Sequence, residues 1–389
     1  FFERQFREKI RNEERRGPEE MRASSVKFHF GLHMPVVLRT VLIAVLAVGL
    51  AAGIFFGVRG CSSGTGSLAD GGTVISGANP SDQFYAMGQV FLAFDGSYAR
   101  AYDVKKGELL WERSPDGSQG YQCDTSAQLA AIYKGSTLYV YDTAGSVAFS
   151  VTTAQPIAQV RAGQASVAVR YADDSIEVID KTGKSVEVIQ AENGAVMDYG
   201  MYSGSDLMWV LMLDDTGIEP KSQLNIHQPG KLLIAGYSTS SQLYYKPLMH
   251  GSQVYICGTR TIDVRSTSDA AASSVQVYGW TLRDSYAGAE QMSLLLTLSE
   301  QGKDATALRV ITGAKVTDLR MHAGCTDLMM GNGRVWGLAG QTLYSVPVSG
   351  GKTQSYSLPY AADGVLLRVN ENQLLLSAQG EVRLVSLPK

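Results

Sequence analysis

Two hydrophobic patterns divide the chain, one uninterrupted and one recurrent. The uninterrupted one is Thr40 to Val58, TVLIAVLAVGLAAGIFFGV, nineteen residues without a charge, an amide side chain or a proline. A helix of that length, rising about 1.5 Å per residue, matches the ~30 Å hydrocarbon core of a bilayer. A single transmembrane helix is therefore expected over 40–58, with Arg39 and Arg59 at its edges. The recurrent pattern begins near residue 84, where short β-prone runs alternate with Gly, Asp, Asn and Ser and no long amphipathic helix intervenes. Its apolar runs are Phe91–Phe94, Leu129–Ile132, Val167–Val169, Trp209–Leu213, Val254–Cys257, Leu294–Leu296, Val335–Leu338 and Leu374–Leu376, starting 38, 38, 42, 45, 40, 41 and 39 residues apart. Such a period is the length of one four-stranded propeller blade.

Residues 84–389 are thus expected to form one closed all-β propeller. The runs make it eight-bladed, with seven as the alternative, and each run is expected to supply an inner strand. Closure is expected to pair a strand near Gln83 to Phe94 with a last blade that includes Glu381 to Leu387. Early repeats add a further strand that ends in Asp and leads to Gly: Ala101-Tyr102-Asp103 to Gly107, Val140-Tyr141-Asp142 to Gly145, and Val178-Ile179-Asp180 to Gly183. An Asp side chain can accept backbone amides in a turn and Gly supplies positive φ, so these pairs predict hairpins.

Charge orients the two parts. Residues 1–59 hold ten Lys/Arg and six Asp/Glu, net +4, and after Arg59 the next basic residue is Arg100. Basic residues stay on the cytoplasmic side, which predicts a cytoplasmic basic tail over 1–39 and an extracellular remainder. That remainder has 24 basic and 31 acidic residues, net −7, which argues against nucleic acid as a partner. Between span and propeller, residues 59–83 read as a Gly/Ser-rich linker. Gly60-Cys61 after a hydrophobic stretch is also the pattern of a bacterial lipobox, but Arg59 and the long charged leader argue against lipidation of Cys61. The first residues, FFERQFREKIRNEERR, space Phe2, Phe6 and Ile10 four apart and predict a short helix ended by Gly17-Pro18. It reads either as a helix lying on the membrane surface or as a solvated tail. The chain opens on Phe1 rather than Met, so further sequence upstream is expected.

Ala101-Tyr102-Asp103-Val104-Lys105-Lys106-Gly107-Glu108-Leu109-Leu110-Trp111 fits A-x-D-x-x-x-G-x-x-x-W, and on it the chain resembles the PQQ-like (quinoprotein) β-propeller superfamily. The resemblance implies that Trp111 docks between adjacent blades. The second and third repeats keep Asp142/Gly145 and Asp180/Gly183 but shorten the spacing and lack the Trp. With its single span, the whole arrangement is similar to membrane-anchored PQQ-like propeller proteins of Gram-positive bacteria, and its outer part to the outer-membrane assembly lipoprotein propeller. Quinoprotein dehydrogenases of the superfamily need calcium ligands, a catalytic Asp and often a vicinal Cys-Cys pair. No adjacent cysteines or matching ligand set occur here, so no cofactor is expected.

Other candidate chemistry is thin, and no catalytic, cofactor-binding or metal-binding residue is assigned. Cys61, Cys123, Cys257 and Cys325 have no C-x-x-C spacing; free thiols are the default, with a Cys123–Cys325 bridge as the alternative. His227, His250 and His322 are isolated, and His29 and His33 lie in the tail. Asp173-Asp174 and Asp214-Asp215 follow strands directly and read as turns rather than paired carboxylates. Glu187, between Val186 and Val188, is placed by alternation on the solvent face. Met329, Met330, Tyr244, Tyr245, Trp280 and Tyr286 read as core or blade packing, with an exposed binding surface as the alternative. Arg265 to Gln291 is the least blade-like segment and is expected to carry an extended loop. The function expected is a non-enzymatic, membrane-anchored scaffold binding an envelope protein or cell-wall polymer through propeller loops or funnel. The alternatives are an envelope glycan hydrolase or lyase with its site at the propeller axis, and a ligand sensor.

Overall fold

A computed structural model describes residues 65–68, 70–190, 194–268, 271–288, 290–299 and 305–388. The basic tail, the span expected over 40–58, Cys61 and the His29/His33 pair lie outside the described residues. Those described form eight sheets of four strands, one of them extended by a fifth, and contain no helix. Blade 1 comprises Gln83–Met87, Val90–Phe94, Ala99–Asp103 and Leu109–Arg113, paired antiparallel in that order. Six more blades repeat this meander, blades 2 to 7 spanning 122–152, 157–189, 195–239, 244–276, 280–320 and 326–357, and the eighth takes Gly364–Asn370, Gln373–Ala378 and Glu381–Ser386 from the C-terminal end.

The eight apolar runs all fall in the second strand of their blade, one position out from the axis. The reason is geometric. A second strand is covered on both faces by the neighbouring blades, so it is apolar throughout, as a doubly buried strand must be. The first strand faces the axial channel and the fourth faces solvent, which leaves both mixed in character. The expected "inner" strands are therefore second strands, and the innermost are weaker in pattern.

Closure comes from upstream of the expected place. Thr73–Val74 supplies the outermost strand of blade 8, pairing antiparallel as Thr73 with Leu384 and Val74 with Arg383, and the Ile75 amide donates to the Val382 carbonyl at 2.8 Å. Gln83–Phe94 is instead the first hairpin of blade 1. Ahead of the closing strand, Thr65–Ser67 adds in parallel to the outer strand Gln354–Ser357 of blade 7. The Tyr360 hydroxyl donates to the Gly71 carbonyl between them at 2.6 Å. Part of the stretch read as linker is thus a strap across the outer edges of two blades. Its composition conceals this: at Gly72, φ is +77° and a Cβ would lie 2.4 Å from the Leu384 carbonyl oxygen, so the close approach demands glycine.

Blades dock by a repeated device. The Asp103, Asp142 and Asp180 carboxylates accept backbone amides two to four residues on, and Gly107, Gly145 and Gly183 follow with positive φ, as the hairpin reading expects. Four residues after each glycine, the outer strand turns a side chain onto the glycine turn of the next blade. Trp111 lies against Gly145 and Phe149 against Gly183, while Ile75, four past Gly71, lies against Gly107. The Trp111 indole is 7% exposed and its Nε1 donates to the Thr143 carbonyl at 3.0 Å. It has the docking role that the repeat signature implies.

Candidate interaction site at the propeller axis

Six of the eight neighbouring pairs of first strands lie in contact around the axis, while the first strand of blade 5, Tyr244–His250, packs instead on the second and third strands of blade 4; the side chains of these strands decide what the channel offers. In these strands a single extra residue is inserted just before Gln159, Asp198, Lys246, Asp284 and Leu367. A bulge re-aims the side chain that follows it. This is why strict alternation in the sequence fails to mark which residues face the axis.

A cavity of about 630 Å³ opens among the first strands of blades 2 to 6 and 8, its charged lining being Asp124, Arg161, Asp198, Lys246 and Arg368. On one side the Arg161 guanidinium lies 3.6 Å from Asp124 and 3.8 Å from Asp198, linking blades 2, 3 and 4. Opposite, Arg368 reaches from blade 8 to grip both oxygens of Asp284 in blade 6, at 2.9 and 3.2 Å, and also donates to the Met330 and Ser285 carbonyls. Asp124 accepts the Ala162 amide and Asp284 the Met330 amide, each at 2.7 Å from the following blade. Burial pushes both carboxyls upward, outweighing the pull of the amides and arginines. These acids stitch the inner ring together.

Lys246, in the first strand of blade 5, stands apart. Its ammonium sits 5.3 Å over the Trp209 ring, and among the described residues it makes no ion pair. Trp209 is held in place from behind: it pairs with Gly200, where a Cβ would come within 2.7 Å of the indole. Met201, Leu248, Met249 and Met292 supply apolar wall beside it.

The residues singled out in the sequence lie elsewhere. Asp173 accepts the Ser175 amide and Asp214 the Thr216 amide, so the first acidic pair sits in a turn and the second at the turn that ends the strand Met208–Asp214. His322 stacks on Tyr344 with centroids 4.1 Å apart, and His250 ends the first strand of blade 5. Glu187 departs from its expected solvent face: it accepts from His227 Nδ1 at 3.0 Å and from the Gly230 amide at 3.2 Å, both in blade 4. An extra residue at Val186 shifts the alternation and turns Glu187 inward. Tyr244, Met329 and Met330 are buried in the blade cores. Arg265 to Gln291, expected to carry a loop, forms the outer strand Ala272–Gln276 of blade 5 and the first strand Trp280–Ala287 of blade 6. The first of these is solvent-facing and rich in Ser and Ala, which hides it. Cys123, Cys257 and Cys325 are free and buried; burial pushes the Cys257 thiol up to about 12 and Cys325 to about 11. Among the described residues no three His, Cys, Asp or Glu side chains converge as a metal site. Sequence reading missed Lys246, Asp124 and Asp284; bulges and the surrounding ring, rather than any local motif, give them their place.

The sequence matches no known family profile and no curated protein. Similar solved structures include WD40 domains and BamB. The WD40 domain of SCAP from fission yeast covers 82% of this chain and 98% of its own, with 8% identity and a TM-score of 0.57. Sqt1 from Saccharomyces cerevisiae covers 84% and 99%, with 8% identity and a TM-score of 0.53. BamB from Moraxella catarrhalis covers 81% and 99%, with 12% identity and a TM-score of 0.50. At such identities the likeness is one of fold.

Proposed function

We propose that this propeller is an interaction scaffold that binds a protein of the cell envelope, held outside the cytoplasmic membrane by the span at 40–58. The observation that carries the reading is the axial cavity, to which six blades contribute and whose wall combines charged, aromatic and Met side chains suited to a partner segment. The propeller fold, shared with WD40 domains and BamB, is consistent with an interaction role. Axial carboxylates that already accept backbone amides and guanidinium groups favour binding over a hydrolase site at the same place. The membrane position rests on the apolar run and the basic tail.

In-cell crosslinking of the intact protein followed by affinity purification tests the scaffold reading. A specific envelope protein is expected to copurify; recovery of none, or cleavage of wall glycan by the purified protein, would overturn it. For topology, in a Cys61→Ser background an impermeant thiol reagent on whole cells should label Asp70→Cys and spare Glu14→Cys. The reverse pattern would invert the orientation.

A further inference from the structure

We infer that the axial channel takes an acidic, apolar-flanked segment of a protein partner, and that Lys246 is the residue that receives its carboxylate. The inference rests on the interaction reading above and specifies its ligand chemistry. Around the cavity the described charges are three cations, Arg161, Lys246 and Arg368, and three carboxylates, Asp124, Asp198 and Asp284. All three carboxylates are turned to the two arginines. Lys246 is left with an aromatic face on one side and the open channel on the other. A cation–π contact leaves the ammonium able to donate hydrogen bonds on its free side.

The setting favours a charged ligand group at this place. Trp209 is 4% exposed and fixed over Gly200, so the ammonium is held by a rigid neighbour. Low-dielectric walls around an unmatched charge focus its field toward the opening. The neighbouring Met201, Met249, Met292 and Leu248 present adaptable apolar surface within reach of the same opening. A side-chain carboxylate flanked by apolar residues satisfies both halves of that wall. A uronate polymer satisfies only the cation, because its ring hydroxyls would lie against thioethers and aliphatic carbons without partners. Nucleic acid is disfavoured by the net charge of −7 over residues 60–389.

The test uses the full chain in detergent micelles and two libraries of acetylated, amidated hexapeptides, alike except for Glu or Gln at the third position. Wild type should retain the Glu library at least about tenfold better, and the difference should shrink as salt is raised. Lys246→Gln should abolish the preference and Lys246→Arg should restore most of it, with melting of all three alike. Equal retention of the two libraries, or a preference that survives in Lys246→Gln, overturns the inference. A lowered melting temperature with unchanged preference overturns it as well, because Lys246 would then only brace Trp209. If Lys246→Gln does not fold, the salt response of the wild-type preference decides alone: a preference insensitive to salt counts against a carboxylate contact. Polygalacturonate retained in a Lys246-dependent way, with neither peptide library bound, would replace the protein segment by a glycan. Failure here with a protein still crosslinked in cells refutes the acidic ligand and the role of Lys246, and leaves the scaffold reading standing.

Discussion

The junction between blades 1 and 2 and the junction between blades 3 and 4 occupy the same place in the architecture and are built from opposite chemistry. In each, an outer strand carries one inserted residue, Leu110 or Val186, and the next residue pairs with the third strand two positions before its terminal Asp. That next residue is Trp111 in one and Glu187 in the other. Trp111 fills the slot with an indole packed on Gly145; Glu187 fills it with a carboxylate bonded to His227 and to the Gly230 amide. A docking slot specifies reach and a partner glycine, and leaves polarity open. An apolar ring is held by area and shape, whereas a half-buried carboxylate must have its inward hydrogen bonds satisfied or it costs free energy.

Emptying the apolar slot should do the most damage. Trp111→Ala should cost about 3–5 kcal/mol, the range for removing a large buried side chain, seen as a lower melting temperature and faster proteolysis. Partner binding should fall only with the folded fraction. Unchanged melting with lost binding would make Trp111 an exposed anchor rather than a docking residue.

Two substitutions of intermediate size probe what each slot requires. Gly145→Ala places a Cβ 2.7 Å from the indole at a φ of +76°, and should destabilise by about 1–3 kcal/mol through overpacking and backbone strain. Combined with Trp111→Ala it should cost less than the sum, because the clash disappears with the ring; strict additivity in thermal melts would refute contact between the two. Glu187→Ala strands the Gly230 amide and the facing nitrogen of His227, for an expected loss of about 1–3 kcal/mol. Glu187→Gln, which keeps the length and one acceptor oxygen, should lose less. Equal losses for both would mean that volume rather than hydrogen bonding fills that slot.

Burial on both faces and local turn chemistry decide what is legible in the sequence. The second strands announce themselves because both faces are buried, and the Asp-to-Gly turns because hairpin chemistry is local. The glycine-plus-four rule is legible as well: Gly71 to Ile75, Gly107 to Trp111, Gly145 to Phe149, Gly183 to Glu187 and Gly313 to Thr317 share one spacing, and Thr317 lies 3.8 Å from where a Cβ of Gly350 would be. Searching for Trp alone reveals one member of that series. Thr73–Val74 is too short for a period-two pattern to register. Glu187 and Lys246 were hidden by single-residue bulges, each of which reverses the face that alternation assigns. Lys246 carries a further difficulty, since its lack of an ion-pair partner among the described residues is a property of the whole ring.

The smallest effect belongs to an exposed pair beside the Thr317 slot, where polarity is again present but water competes. Asp318 accepts from Arg309 Nε at 2.7 Å and Nη2 at 3.0 Å, with the carboxylate side chain 62% exposed. The hydrogen bond from Arg309 holds the Asp318 carboxyl below the usual carboxylate range, with slight burial opposing it. A carboxyl whose pKa is depressed by folding adds stability above its unfolded pKa, and that stability is lost as pH falls through the folded value. Exposure limits the size: Asp318→Asn should cost less than about 1 kcal/mol at pH 7, and the gap should narrow in high salt. Arg309 also stays in place without the carboxylate, its guanidinium lying 4.5 Å over the Trp280 ring, which keeps the loss small. Melts of wild type and Asp318→Asn should therefore differ slightly at neutral pH and converge once acid has protonated Asp318. Trp111→Ala should show no such convergence beyond what acid does to the whole domain. A loss at Asp318 as large as that at Trp111, or one indifferent to both pH and salt, would mean that the outer pair is a docking contact in its own right.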